Sequence, residues 1–131
     1  MNLTPSQVRQ LIRSARAAQR RARAPYSRFR VGAALLAGNG RVFTGCNVEN
    51  ASYGLTMCAE RVALGKAVSE GCRKFRAIAI VAPAGNVTPC GACRQVLAEF
   101  GDMLVVCCDW RRPRRVRVYQ LGELLPAAFG F

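Results

Sequence analysis

The chain of 131 residues contains no histidine. That absence removes every Ser-His and Cys-His nucleophilic arrangement. It leaves cysteine and carboxylate as the side chains able to hold a transition metal. Acids are scarce as well: Glu49, Glu60, Glu70, Glu99, Asp102, Asp109 and Glu123 are the full set. A carboxylate acting as general acid or base must be one of these. Long apolar runs are missing, so no membrane-spanning helix is expected. The N-terminal stretch MNLTPSQVRQLIRSARAAQRRAR lacks the apolar segment of a secretory signal. Lysine is nearly absent, with two against 18 arginines.

What is present is enough for one domain, residues 1–131, with a sizeable core. Hydrophobic residues make up 51% of the chain, which excludes a disordered polyelectrolyte. Seven cysteines are an odd number without the spacing of a disulfide scaffold. They read as thiols or metal ligands of an intracellular, cytoplasmic protein. The net charge of +13 would attract nucleic acid, anionic lipid or phosphorylated ligands. The arginines are dispersed over the first helix and an Arg111–Arg117 cluster. They read first as surface charge, with nucleic acid as a weak electrostatic contact.

Thr4-Pro5-Ser6-Gln7 is a helix start: Thr4 as N-cap, Pro5 at the first helical position and Gln7 completing a capping box. Val8, Leu11, Ile12, Ala15 and Ala18 follow at helical spacing, and Ala24-Pro25-Tyr26-Ser27 ends the pattern. Residues 30–37 and 41–46 read as strands joined by Gly38-Asn39-Gly40, a hairpin signal. Residues 47–56 read as a loop, 58–68 as a helix stopped at Gly71, 77–81 as a strand, 82–89 as a loop and 91–100 as a helix. Residues 103–108 and 116–119 complete the strands, and 121–125 is a short helix before Pro126. The order α-β-β-α-β-α-β-β-α implies an α/β fold with a mixed sheet and helices on both faces.

Two motifs carry candidate chemistry, and both fall at helix starts after loops, where open α/β sheets place ligands. The first, TPCGACR (88–94), fits a redox dithiol, half of a structural zinc site, or two ligands of a catalytic metal. The second, TMCAERVAL (56–64), adds Cys58 and Glu60. On a regular helix these two point about 200° apart, so they can share a site only at its N-terminal end. There the helix dipole lowers a thiol pKa. Two such helix starts could bring Cys58, Cys90 and Cys93 to one zinc with a fourth position left for water. Three thiolates leave Zn²⁺ a poor Lewis acid, and Arg61 and Arg94 are placed in sequence to donate hydrogen bonds to them. Glu60 is the acid placed to move a proton at such a site, with an exposed helix glutamate as the alternative. Glu49, in a Gly/Asn loop beside Asn47, suits a sugar diol or a solvated loop. Phe29 suits a core position or a ligand contact. Cys46, Cys72, Cys107 and Cys108 read as small buried hydrophobes.

Cys-Ala-Glu followed by Pro-Cys-x-x-Cys resembles the three-cysteine signature of zinc nucleoside deaminases. APYSRFRVGAALL (24–36), GCNVENASYGLTMCAERVAL (45–64), PCGACRQVL (89–97) and ELLPAAFG (123–130) extend the resemblance to the small homotetrameric cytidine deaminases. The resemblance implies a three-layer α/β/α sandwich with a five-stranded mixed sheet. It implies one zinc per subunit on Cys58, Cys90 and Cys93, and hydrolysis of cytidine and deoxycytidine by a zinc-bound hydroxide attacking C4. Glu60 would shuttle the proton, Asn47 and Glu49 would hold the ribose hydroxyls, Phe29 would pack near the base, and the Ala59 amide would hold the pyrimidine. Ala51, Tyr53 and Phe129 would reach a neighbouring subunit's site. Related substrates such as a nucleoside antibiotic or an RNA base, a structural-zinc nucleic-acid module and a thiol redox protein are the rival readings. Thr88, where serine is commoner, and the arginine-rich 111–117 segment depart from the family pattern.

Overall fold

A computed structural model describes residues 2–131. The capping box forms as its sequence predicts: Thr4 Oγ1 accepts from the Gln7 amide at 3.1 Å, and Gln7 Oε1 accepts from the Thr4 amide at 2.9 Å. Helix α1 runs Pro5–Gln19 from this cap. It ends before the expected stop at Ala24, because residues 22–24 are needed elsewhere. Arg23 pairs with Val48 in a short parallel bridge, donating to the Asn47 carbonyl and accepting from the Glu49 amide. Helical backbone at Arg23 could not make both bonds.

The strands are β1 (Gly32–Ala37), β2 (Val42–Cys46), β3 (Phe75–Ala82), β4 (Leu104–Asp109) and β5 (Val116–Gln120). The β1–β2 turn closes with a Gly40 amide bond to the Ala37 carbonyl, and Gly40 takes φ +90°, which glycine alone adopts freely. The sheet order is β2-β1-β3-β4-β5. Only β3 and β4 are parallel; the other neighbours are antiparallel. Helix α3 (Gly91–Ala98) makes the crossover that the parallel pair requires. Helix α2 (Ala59–Ser69) joins β2 to β3, and α4 (Leu121–Leu124) follows β5.

Alternating strand residues face two cores. On one side Leu11 and Ala15 of α1 pack on Ala34, Leu36, Ala77, Ala79, Val81 and Val106. On the other, Ala63, Leu64 and Ala67 of α2 and Leu97 of α3 pack on Leu35, Ile78, Ile80 and Val105. The mixed sheet between helices on both faces is the three-layer architecture expected. Each fully buried Leu, Ile or Val contributes about 1.5–3 kcal/mol to holding it.

Two glycines set how closely the layers approach. A Cβ on Gly32 would lie 2.0 Å from the Ala15 carbonyl oxygen, and one on Gly45 would lie 2.4 Å from the Ala59 carbonyl oxygen. Helices α1 and α2 therefore rest directly on strand backbone, on opposite faces. The second contact fixes the first turn of α2, where the candidate chemistry begins. Gly32 pairs with both Cys46 and Val81, and Ala82 pairs with Asp109. The segments before β1 and after β2, β3 and β4 thus leave from one end of the sheet.

Candidate active site

Cys58 and Cys90 are the N-cap residues of α2 and α3, with extended backbone (φ −72°, ψ 151° and φ −64°, ψ 166°). Neither side chain caps its helix. The sulfurs turn toward one another instead, with Cys58 Sγ and Cys90 Sγ 3.9 Å apart. Cys93, in the first turn of α3, is fully buried, and its Sγ joins them: all three lie within 4.8 Å of one another. The convergence of two helix starts read from sequence is therefore present.

The donor set fits zinc. Three thiolates this close repel one another unless a cation sits among them. Without one, the Cys93 thiol and then Arg61 donate to Cys58 and lower its pKa to about 5, while Cys93 is pushed up by that same bond and by burial. Zinc takes thiolate ligands, and the N-termini of α2 and α3 favour the negative charge this requires. Arg61 Nη2 donates to Cys58 Sγ at 3.3 Å, as its sequence position suggested. Its Nε is buried with no hydrogen-bond partner among the described residues.

Arg94 does otherwise. Its guanidinium donates to the Pro89 carbonyl at 2.7 Å, the Leu124 carbonyl at 2.7 Å and Thr88 Oγ1 at 2.7 Å. It does not serve the thiolates as expected. The carbonyl before Cys90 and the end of α4 both need a donor, and a planar fork reaches both. Thr88, a departure from the family pattern, is the third acceptor of that fork.

Glu60 is only 6% exposed. Burial raises its pKa to about 7, and the negative charge of Cys58 adds to the rise; its own backbone amide and Arg61 act against it. A carboxyl in that range both takes and gives a proton near neutral pH. Beside it Cys107 is held as a thiol, pushed up to about 12 by burial and then by Glu60. Cys72, Cys107 and Cys108 are buried as expected, whereas Cys46 is half-buried.

Val48 pairs with Met57 through two backbone bonds of 2.9 and 3.0 Å, which sets residues 47–49 beside Cys58. Asn47 is buried; its Oδ1 accepts from the Val31 amide and its Nδ2 donates to the Phe29 carbonyl. Glu49 accepts from the amides of Tyr26 and Ser27 and from the Ser27 hydroxyl. The Ser27 hydroxyl bond, then those amides, keep its carboxyl below the ordinary carboxylate range, hence ionised. Both side chains thus brace the 26–31 segment that carries Phe29, itself 36% exposed. Ser27 and Gly45 were not singled out from sequence. A glycine interrupting an apolar strand is the signal that points to Gly45. Ala59 is fully buried, with its carbonyl against Gly45 of β2. Ala51 and Tyr53 lie on an exposed segment, with the Tyr53 ring 5.9 Å from that of Tyr26. Phe129 is exposed, with its carbonyl held by Gln95.

Residues 5–109 match the family model described as the cytidine and deoxycytidylate deaminase zinc-binding region. The chain is 49% identical to a cytidine deaminase of Sporosarcina psychrophila, over 93% of this chain and 90% of that one. It is 51% identical to a probable cytidine deaminase of Dictyostelium discoideum, over 97% and 86%. The crystal structure of cytidine deaminase from Burkholderia pseudomallei superposes with a TM-score of 0.88 at 50% identity, covering 97% of this chain and all of that one. The fold, the three converging cysteines and these likenesses agree, and the chain belongs to the cytidine and deoxycytidylate deaminase zinc-binding family.

Proposed function

We propose that residues 1–131 form one catalytic domain that hydrolyses cytidine and deoxycytidine to uridine and deoxyuridine, releasing ammonia, with one zinc per subunit. The observation that carries the reading is Glu60, a buried carboxyl in the same helical turn as a three-cysteine cluster. Three protein ligands are the number a catalytic zinc keeps, and a structural site would need a fourth. Bound zinc supplies the positive charge that lets a water lose its proton near pH 7.

The remaining chemistry belongs to the chain. Glu60 accepts that proton and delivers it to N3 of the ring; it then takes the second proton of the same water, carried by the oxygen now bonded to C4, and gives it to the amine, which leaves as ammonia. Arg61 draws charge from Cys58, which keeps the metal electrophilic. Phe29 packs against the base. Glu49 stays ionised and has lone pairs left for a ribose hydroxyl, and Asn47 retains a second amide hydrogen. A free nucleoside suits this pair, because a polynucleotide carries phosphate where the hydroxyl should be. The Ala59 amide, in the first turn of α2, is a further donor to the pyrimidine.

Tyr53 and Phe129 are 70% and 71% exposed, and each has a second aromatic ring beside it, Tyr26 at 5.9 Å and Phe131 at 5.4 Å between centres, so the exposed apolar surface is grouped rather than scattered. This supports a homotetramer in which Ala51, Tyr53 and Phe129 reach neighbouring sites. No described helix is long and apolar enough to cross a membrane. Cytoplasmic pyrimidine salvage suits the free thiols and a nucleoside substrate. The test follows cytidine and deoxycytidine by absorbance with zinc-loaded protein, and Glu60→Gln as control. Conversion that depends on Glu60 is expected. A zinc-loaded protein that converts neither, or a control equal to the parent, would refute the reading.

A further inference from the structure

At the same end of the sheet, on the α1 side, two hollows adjoin. One, of about 350 Å³, is lined by Arg16, Arg20, Arg28, Arg30, Pro83 and Trp110. The other, of about 500 Å³, shares Arg28 and Arg30 and adds Arg23. No acidic side chain lines either. The ion pairs among the described residues, Arg41–Glu70 and Arg111–Asp109, involve none of these arginines. Arg23 Nη1 donates to the Glu49 carbonyl at 2.9 Å, and its charge helps keep the Glu49 carboxyl ionised. The other four guanidinium groups face shared space with no ion-pair partner among the described residues, an arrangement that self-repulsion disfavours unless an anion enters.

The hollows are built rather than incidental. Gln19 is 2% exposed; its Oε1 accepts from Arg16 Nη1 at 2.7 Å and its Nε2 donates to the Arg30 carbonyl at 3.0 Å. Arg16 is also stacked 4.3 Å from the Trp110 ring centre. Its charge is therefore held in place from two sides. Arg28 has φ +58°, a left-handed backbone that disfavours a long side chain, yet an arginine occupies it.

We propose that this arginine-lined surface binds single-stranded nucleic acid, with successive phosphates on Arg16, Arg20, Arg23, Arg28 and Arg30 and a base stacked at Trp110. Arginines spread over two adjoining hollows suit spaced phosphates better than one isolated anion. An aromatic ring beside them suits unpaired bases, whose faces are open for stacking. A duplex would be read by an element projecting into a groove, whereas these side chains line concavities. An anionic membrane would call for several bulky apolar groups among the arginines, and Trp110 is the one aromatic side chain lining the two hollows. The proposal goes beyond the deaminase reading and does not depend on it. Phe29 lies between Arg28 and Arg30 in the chain, so a bound strand would lie next to the nucleoside site without entering it.

Trp110 is the only tryptophan, so its fluorescence reports this surface directly. The zinc-loaded full chain is titrated with a 15-residue oligothymidylate between 50 and 200 mM salt. Saturable quenching is expected, with affinity falling about 130-fold over that range for five phosphate contacts on a single strand. Arg20→Glu, an exposed charge reversal that spares the Gln19 contacts, should weaken binding at least tenfold and leave cytidine turnover unchanged. The double change of Arg28 and Arg30 to alanine should weaken binding at least as much at an unchanged melting temperature; Arg23 is kept because its guanidinium holds the Glu49 carbonyl. Four results would overturn the proposal: no quenching at 50 mM salt, equal affinity of Arg20→Glu, equal competition by inorganic phosphate at matched phosphate concentration, or tighter binding to phosphatidylserine vesicles than to the oligonucleotide.

Discussion

Helix α1 and helices α2 and α3 begin with almost the same backbone and opposite chemistry. Thr4 has φ −73° and ψ 155°, Cys58 −72° and 151°, Cys90 −64° and 166°. At Thr4 a hydroxyl and the Gln7 side chain close the helix end on itself. At Cys58 and Cys90 the sulfur leaves the helix amides and turns outward. A sulfur is a poor acceptor for backbone N–H, so a cysteine N-cap gives up local stability. In exchange two positive helix ends face one cluster of thiols, where they favour the thiolates a metal requires. The first helix start serves the fold, and the other two serve a ligand.

Cys58→Ser tests this contrast most severely. Serine is a good N-cap and a poor zinc ligand, so the substitution should make α2 resemble α1. Zinc binding and turnover should both be lost, while the zinc-free variant melts above the zinc-free parent by the equivalent of about 1 kcal/mol. Calorimetry with and without zinc separates the two effects. A variant that keeps zinc with parental affinity would break the comparison.

Glu60→Gln should cost about 10²–10⁴-fold in turnover, the range of general acid–base catalysis. Zinc content should stay at one per chain, because the carboxyl is a proton carrier and not a ligand. Elemental analysis beside the absorbance assay checks both halves. Loss of zinc together with turnover would place Glu60 among the ligands and remove the open position.

Legibility followed the same division between local and distant causes. The start of α1 could be read from Thr4-Pro5-Ser6-Gln7 because every partner lies within four residues. Its end could not, because residues 22–24 are drawn into pairing with residues 47–49. The cysteine cluster was legible through scarcity: without histidine, and with two motifs at helix starts, few ligand sets remain. Arg61 was readable since its thiol lies three residues away. Arg94 was not, since its acceptors include a carbonyl 30 residues distant. Glu49 was legible as a loop acid but not as the acceptor for the amides of Tyr26 and Ser27, which depends on a tertiary approach.

The two arginines sharpen the contrast within the active end itself. Hydrogen bonds from a charged group contribute about 1.5–3 kcal/mol each, and Arg94 makes three to the segment before Cys90 and to α4. Arg94→Ala should therefore destabilise by at least about 2 kcal/mol. It should also weaken zinc binding about 10–100-fold by releasing the loop that presents Cys90. Arg94→Lys should rescue little, because an ammonium lacks the fork that reaches all three acceptors. Arg61→Gln should act the other way round, on metal affinity more than on melting temperature. Equal profiles for the two variants would mean that both act through the fold.

Thr4→Ala should have the smallest effect, and its size is informative for that reason. Removing the hydroxyl leaves the Gln7 amide without its acceptor and costs about 1 kcal/mol. Helix α1 packs through Leu11 and Ala15 on the face opposite α2 and α3, so the loss should stay in the melting temperature and leave turnover and zinc affinity at parental values. The cap lies at the far end of α1 from Arg16 and Gln19, roughly three and four helical turns away by spacing, so oligonucleotide quenching of Trp110 should also be unaffected. A fall in turnover in Thr4→Ala would show that the closed helix start supports the open ones across the sheet. The route would be the close approach of α1 to Gly32, whose strand pairs with the end of β2 at Cys46.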